Sequence, residues 1–328
     1  MEFNIQNVIT TQDNLIAVQV DTLDQLMSDP YLLWWDELAE DTSIAGAREV
    51  RNWYVQNGLI RETSGGDRRF YDGVDAAFEL SYKKYEASTS VDRDEWEDDK
   101  IDRAAQWAVN VSTYEALHPQ VLTLNLIQNG KVYLAFDGVT FFSTLHPVVP
   151  GVAGSGTNSN LWSGYPLTPA GIKDLTADIK GTLKTYGLPN AYIRPYRLWL
   201  NPATEFDGAE LLGAEIIGNL VADGINGSKS NLLADQAFKN RYGWDGGIRV
   251  MQDMPNNATQ YHVQCKVFGR TPWKQPFIRV TRRPGEMRMF GPSDSAHLSR
   301  ANRVEWHKDY RFAMMYGDPM GLHEVSTV

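Results

Sequence analysis

The feature that most constrains this chain is one long helical stretch, residues 92–128, flanked on both sides by segments of strand-like pattern. Asp92 is placed to cap its N-terminus. Asp94, Glu95, Glu97, Asp98 and Asp99 crowd the first turns, where the helix dipole favours negative charge. Ile101, Ala105, Ala108 and Ser112 recur at helical spacing as a mostly small-residue stripe, which lets another element approach closely. Pro119 lacks the amide that a helix interior needs, so a kink or restart is predicted there, with Val121, Leu122, Leu124 and Leu126 carrying the helix on. Asn129-Gly130 is a stop signal. The acidic cluster invites a calcium reading, but the EF-hand pattern fails: Trp96 stands where a ligand should be and no glycine follows it.

Upstream, Phe78, Leu80 and Tyr82 alternate with Glu79, Ser81 and Lys83. After Lys83-Lys84 the phase changes to Tyr85, Ala87 and Thr89. A one-residue slip turns every side chain to the other face, so a bulge or turn is predicted there. Residues 59–63 and 68–71 flank Ser64-Gly65-Gly66-Asp67, a hairpin signal. This region is polar between its aromatics. It is not expected to form a core by itself and must lie against something else. Residues 1–30 are weakly periodic, an extended or partly helical arm ending at Pro30. Residues 31–39 are short and apolar, a helical anchor for that arm.

Downstream, strands are predicted at 131–136 and 139–145 around an Asp137-Gly138 turn. Residues 147–164 form a loop or domain junction rich in Gly, Ser, Asn and Pro. Thr168-Pro169 opens a helix with a cap and an N1 proline. Ile172, Leu175, Ile179 and Leu183 make its apolar face, and Gly187 closes it. A strand at 196–200, a helix at 205–220 and a polar loop at 223–235 follow. Further strands are predicted at 247–252, 260–268, 276–281 and 304–316, with a turn at 317–321. The mixture is α+β.

Catalytic motifs are missing. There is no GxxxxGK[ST] loop, and Gly151, Gly154 and Gly156 have the reverse of the dinucleotide spacing. His323-Glu324 has no second histidine, the six histidines show no metal-ligand spacing, and no serine sits in a GxSxG elbow. No catalytic, cofactor-binding or metal residue is assigned. Cys265 is alone, which excludes an intrachain disulfide and points to an inert buried thiol. Residues 1–20 lack the pattern of a signal peptide, and no apolar run approaches the roughly 18 residues of a membrane span. A soluble protein made in a cytoplasm is expected, with no membrane partner.

The net charge is −10, a poor footprint for sequence-independent nucleic-acid binding. It is unevenly spread: residues 1–50 hold ten acids and one base, Arg48, whereas residues 270–311 hold ten bases and four acids. Two solvated faces would explain this. So would an acidic end of one copy meeting the basic end of another. With 42% hydrophobic residues the chain can bury a real core. Its 10 Trp and 15 Tyr suit core and interface alike.

Several pieces in fixed order resemble the major head protein family of Mu-like phages. They are Val91-Asp92-Arg93-Asp94 at the start of the long helix, Glu97-Asp98-Asp99, Ala116-Leu117-His118-Pro119, Phe136-Asp137-Gly138, Phe141-Phe142 and His146-Pro147. Further on come Arg197-Leu198-Trp199-Leu200-Asn201-Pro202-Ala203-Thr204-Glu205-Phe206 and Lys274-Gln275-Pro276-Phe277. The resemblance covers about residues 50–328, with gaps.

The resemblance implies an HK97-like major capsid protein fold. Residues 1–54 would be the N-terminal arm and 55–90 the extended loop, a two-stranded projection over a neighbour. Residues 91–164 would be the first part of the peripheral domain, with its spine helix and strands. The axial domain would span 165–265, and 266–328 would return to the peripheral domain. The function implied is a shell of pentamers and hexamers around packaged DNA, which is met without sequence preference. A separate scaffolding protein, a portal and a decoration protein would be the other partners, with no cofactor. The place implied is the virion, assembled in the bacterial host cytoplasm. Subunit-contact candidates are Trp34, Trp35, Tyr82, Lys83, Lys84, Tyr85, Arg282 and Arg283. The alternatives are an encapsulin-like nanocompartment shell, a hydrolase with an unrecognised site, and a phage tail or adhesion protein.

Overall fold

The structure is a computed structural model. It describes residues 5–28, 32–55, 74–98, 102–149, 154–184, 193–213, 216–217, 229–230, 244–267, 275–290 and 303–328. The predicted hairpin turn at 64–67, Gly187 and most of the loop at 223–235 lie outside the described residues.

In chain order the first elements are α1 (Ile5–Ser28), a 3-10 turn (Trp35–Glu37), β1 (Ala39–Ser43), β2 (Arg48–Val55) and β3 (Val74–Ser81). Next come β4 (Lys83–Asp92), α2 (Arg93–Glu97) and α3 (Asp102–Gln128). Three short strands follow, β5 (His146–Pro147), β6 (Thr157–Asn158) and β7 (Leu161–Ser163), then α4 (Pro169–Thr182). They lead to β8 (Ile193–Leu200), α5 (Glu205–Gly213), β9 (Ile216–Ile217), β10 (Lys229–Ser230), β11 (Ile248–Val250) and β12 (Gln260–Val267). The long strands β13 (Phe277–Phe290) and β14 (Arg303–Tyr316), a second 3-10 turn (Pro319–Gly321) and β15 (Leu322–Ser326) complete the described chain.

Two sheets organise these elements. One is four-stranded, in the order β1-β13-β14-β4; the other is five-stranded, in the order β11-β8-β12-β15-β7. In the second, α4 covers one face. Its N-cap Thr168 accepts a hydrogen bond from Gly171 N at 3.2 Å. Ile172, Leu175, Ile179 and Leu183 are all buried against Leu198, Leu200 and Val263, as their spacing predicts. Each such side chain contributes roughly 1.5–3 kcal/mol by leaving water.

The four-stranded sheet has two unlike faces. Register pairs Val304 with Val91, Tyr310 with Tyr85 and Phe312 with Lys83, so these side chains share one face. That face packs beneath α3, with Ala104 and Ala108 meeting Val91, Val304 and Trp306. Ile278 and Val280, one residue out of phase with Phe277, point to the opposite face. There they join Ile44 and Leu80.

Several predicted boundaries change. The long helix is two helices: β4 runs to Asp92, so Asp92 ends a strand, and α3 starts at Asp102. Its buried line runs through Ala104, Ala108, Val111, Ser112 and Ala116; Ala105 is half-buried and Ile101 lies outside the described residues. Pro119 neither ends nor restarts α3. Pro119, Gln120 and Thr123 are buried, and Thr123 donates to Pro119 O at 2.8 Å, so packing overrides the lost amide bond.

The predicted strands at 131–136 and 139–145 are a turn lobe with one isolated bridge, Leu134 to Thr140. The amides of Val132 and Tyr133 both turn back to Asn129 O at 2.9 Å. Gly130 is required there, because a Cβ would meet the Phe142 ring at 2.4 Å. The helix predicted to Leu220 ends at Gly213, before β9.

Candidate assembly surfaces

The strand pair β2–β3 is fully in register from Arg48 with Ser81 to Val55 with Val74. Its first strand begins at Arg48, within residues 1–54. The root is anchored. Leu80 is wholly buried, and Phe78 and Tyr82 pack with it against Ile44, Ile278, Val280 and Met315. On the opposite face, paired with Glu79, Val50 is 61% exposed. At its root the pair is packed on one face and open on the other.

At Tyr82 the chain leaves β3 and enters β4, which pairs with β14 instead of β2. This is where the sequence phase changes. The Arg282 guanidinium lies 5.1 Å from the centre of the Tyr82 ring and donates to its hydroxyl. Two residues nominated separately from sequence therefore meet within one chain. Lys83 and Lys84 are exposed beside them. Lys84 sits opposite Arg311, and Arg311 opposite Arg283, which places three cations in one row across three strands. Acids answer them: Lys84 reaches Glu86 at 3.3 Å and Asp309 at 3.8 Å, and Arg283 reaches Glu286 at 2.5 Å.

Two nominated contact residues, Trp34 and Trp35, belong to the subunit's own core, and a third, Tyr85, is half-buried against it. Trp34 and Trp35 are only 2% and 7% exposed. Trp34 sets its ring edge-on to Trp199 at 6.1 Å, and its amide donates to Gln120 Oε1 at 3.1 Å. The Arg279 guanidinium lies over Trp35 at 4.9 Å. Tyr85 points inward, 5.6 Å from Tyr310, 5.1 Å from Phe312 and 4.4 Å from His118. Burial raises the pKa of Tyr85 and lowers that of His118. These corrections share one cause: an aromatic run marks a place that leaves water without saying whose surface covers it.

Two charged clusters that no local signal announced tie the elements together. Glu37, at the arm's root, accepts from Arg249 Nη2 at 2.6 Å and Nε at 3.2 Å, and from Arg197. Arg197 Nε also donates to Gly246 O at 2.8 Å. Burial, and then the Arg249 charge, lower the pKa of Arg197 to about 10; burial raises that of Asp36. The clamp fixes the arm's root to β8 and β11. The second cluster holds α1. Buried Lys308 of β14 reaches Glu115 of α3 at 2.5 Å and donates to Gln19 Oε1 of α1 at 3.2 Å.

The basic surplus of residues 270–311 is largely answered inside the subunit among the described residues. Arg279 meets Asp41, Arg283 and Arg288 meet Glu286, Arg303 meets Glu305, and Lys308 meets Glu115.

One array has the composition of a hydrolytic triad. Ser88 Oγ lies 2.8 Å from His307 Nδ1, and His307 Nε2 lies 3.2 Å from Glu305 Oε2. Ser88 stands directly opposite His307 in the β4–β14 register, so cross-strand pairing on one pleat face accounts for it. His323 is fixed as a neutral ring, accepting from Trp162 Nε1 at 2.9 Å and donating to Met320 O at 3.0 Å. Cys265 is buried, and burial pushes its thiol pKa up, as expected of an inert group. Among the described residues no group of three or more His, Cys, Asp or Glu is placed to hold a metal, and no helix is long and apolar enough to cross a membrane.

Comparison with known proteins finds likenesses in part of the sequence and in the fold. Residues 29–183 match the family described as Mu-like prophage major head subunit gpT. The major capsid protein of Escherichia phage Mu is 30% identical over 83 residues, which are 25% of this chain and 27% of that protein's length. Among solved structures, the procapsid of bacteriophage JBD30 superposes with a TM-score of 0.52 at 14% identity, over 99% of this chain and 76% of that one. The mature capsid of bacteriophage PhiM1 gives a TM-score of 0.47 at 13% identity, over 91% of this chain and 88% of its own. The chain has the HK97-like fold of phage capsid proteins, and its residues 29–183 match the Mu-like prophage major head subunit family.

Proposed function

We propose that this chain is the major capsid protein of a tailed bacteriophage, a subunit that joins copies of itself into pentamers and hexamers of an icosahedral head around DNA. The observation that carries the reading is the β2–β3 pair, which buries Leu80 on one face and leaves Val50 exposed on the other. A two-stranded hairpin is marginal alone in water, so a second copy is the natural cover for it. Heterologous contacts of this kind close into rings and shells. The capsid fold and the matched head-subunit segment support the same reading.

The subunit then divides into an arm with α1, the extended β2–β3 loop, a peripheral part built on α3 and the four-stranded sheet, and an axial part with α4 and the five-stranded sheet. Tyr82, Lys83, Lys84, Arg282 and Arg283, grouped at the loop's root, are the contact residues kept in this proposal. A scaffolding protein, a portal, a decoration protein and DNA held without sequence preference complete the set of partners. The place of action is the virion, after assembly in the host cytoplasm.

Val50→Asp tests the loop's part in this. Val50 is 61% exposed, so the subunit's own stability should change by no more than roughly 0.5 kcal/mol. Burying that carboxylate under a neighbour is far more costly, and shell yield by light scattering should fall by roughly tenfold or more. Wild-type yield would mean that this face of the strand pair is not covered in the shell.

A further inference from the structure

We infer that the outward face of α1 is a docking surface for a basic amphipathic helix supplied by another protein. Successive residues of a helix turn by about 100°, which divides α1 into three faces. Thr11, Leu15 and Gln19 are buried; Leu15 packs with Ala104 and Ala108 of α3, and Gln19 is held by Lys308. About a third of a turn away stand Ile16, Val20, Leu23 and Met27, at the four-three-four spacing of a coiled-coil seam. Ile16, Val20 and Met27 are 38%, 52% and 69% exposed, and Leu23 is partly so. Beside this seam, on its far side, lie Asp13, Asp21 and Asp24, all exposed.

The charges choose the occupant. No Lys or Arg occurs anywhere in α1. A second copy of α1 on the same seam would set aspartate near aspartate, and flanking like charges select against such pairing. A helix with Lys or Arg beside its own apolar seam meets both the uncovered side chains and the acidic rim. No described helix of this chain offers that. Helix α4 carries Lys173 and Lys180 but also Asp174 and Asp178, and its apolar face, Ile172, Leu175 and Ile179, is buried on its own sheet. The Gln19–Lys308 bond and buried Leu15 keep α1 from rolling, so the seam is presented to solvent.

The test uses the full-length purified protein and a fluorescent three-heptad synthetic peptide, with leucine at the seam positions and lysine at the flanks. A twin peptide carries glutamate for lysine. Fluorescence anisotropy should show the lysine peptide binding roughly tenfold or more tighter than its twin. Val20→Glu and Met27→Glu, both at exposed positions, should weaken it by a similar factor with helix content unchanged by circular dichroism. Changing Asp13, Asp21 and Asp24 together to Asn should shrink the preference for lysine over glutamate. Equal binding of both peptides, or binding of neither, overturns the inference. So does spontaneous disulfide pairing of a Val20→Cys variant between copies without peptide, a clean readout because the native Cys265 is buried. Shell formation is scored separately by particle mass, so failure here is distinguishable from failure of the capsid reading.

Discussion

Trp34→Ala is expected to lower the stability of the unassembled subunit by about 3–5 kcal/mol, the usual cost of emptying a large aromatic site in a core. The indole is 2% exposed and shares a cluster with Trp199, Phe277, Phe312 and Tyr316. Its loss opens a void where the 3-10 turn, α3 and β8 converge. It would also disturb Gln120, which accepts from the Trp34 amide and donates to Asp253 at 2.5 Å. The urea midpoint of subunits kept below the assembly concentration measures the effect. A subunit of unchanged stability that merely assembles poorly would return Trp34 to the surface role first expected from the sequence.

Acidification is expected to destabilise the subunit through His262. Burial, assisted by the Lys131 charge, lowers its pKa to about 3, against about 6.5 in an unfolded chain. The group is a base whose folded-state pKa is depressed. Between these values the unfolded chain binds the proton and the folded chain does not, so stability rises with pH across that window. The contribution is complete above pH ~6.5 and is lost progressively as pH falls toward 3, reaching on the order of 4 kcal/mol. His262→Gln should flatten the fall in urea midpoint between pH 6.5 and pH 4. An NMR titration supplies an independent check: the His262 ring should hold its neutral shifts throughout that range. A ring that titrates near 6 would contradict the buried geometry.

The sequence made some of this legible because the signals were local. Helix α4 is marked by its Thr168-Pro169 start and by apolar residues at three- and four-residue steps, and all four of them are buried. The phase change near Lys83 is visible as a break in alternation. It corresponds to the chain changing sheets at Tyr82. The distal half of β13 was less visible, because Arg282-Arg283-Pro284-Gly285 interrupts the alternation; register shifts between Arg283 and Glu286 absorb it. Strand β15 was missed because it reads as polar. His323 and Glu324 are nonetheless buried, His323 satisfied by Trp162 and Met320 O, and Glu324 by Lys131 at 2.5 Å. The Glu37–Arg197–Arg249 clamp joins residues 160 and 212 positions apart, and no short pattern encodes it. The contact candidates divided for a related reason. Charged Lys83, Lys84 and Arg282 remain at the surface, whereas Trp34 and Trp35 had enough apolar area to be claimed by the subunit's own core, and Tyr85 is half-buried against it.

The central claim is that this chain builds a closed shell, and negative-stain electron microscopy of the purified protein, with light scattering for mass, tests it most directly. Closed shells, or pentamers and hexamers, are the expected result. A small monodisperse monomer or dimer that never assembles, even with its scaffolding protein present, would contradict it.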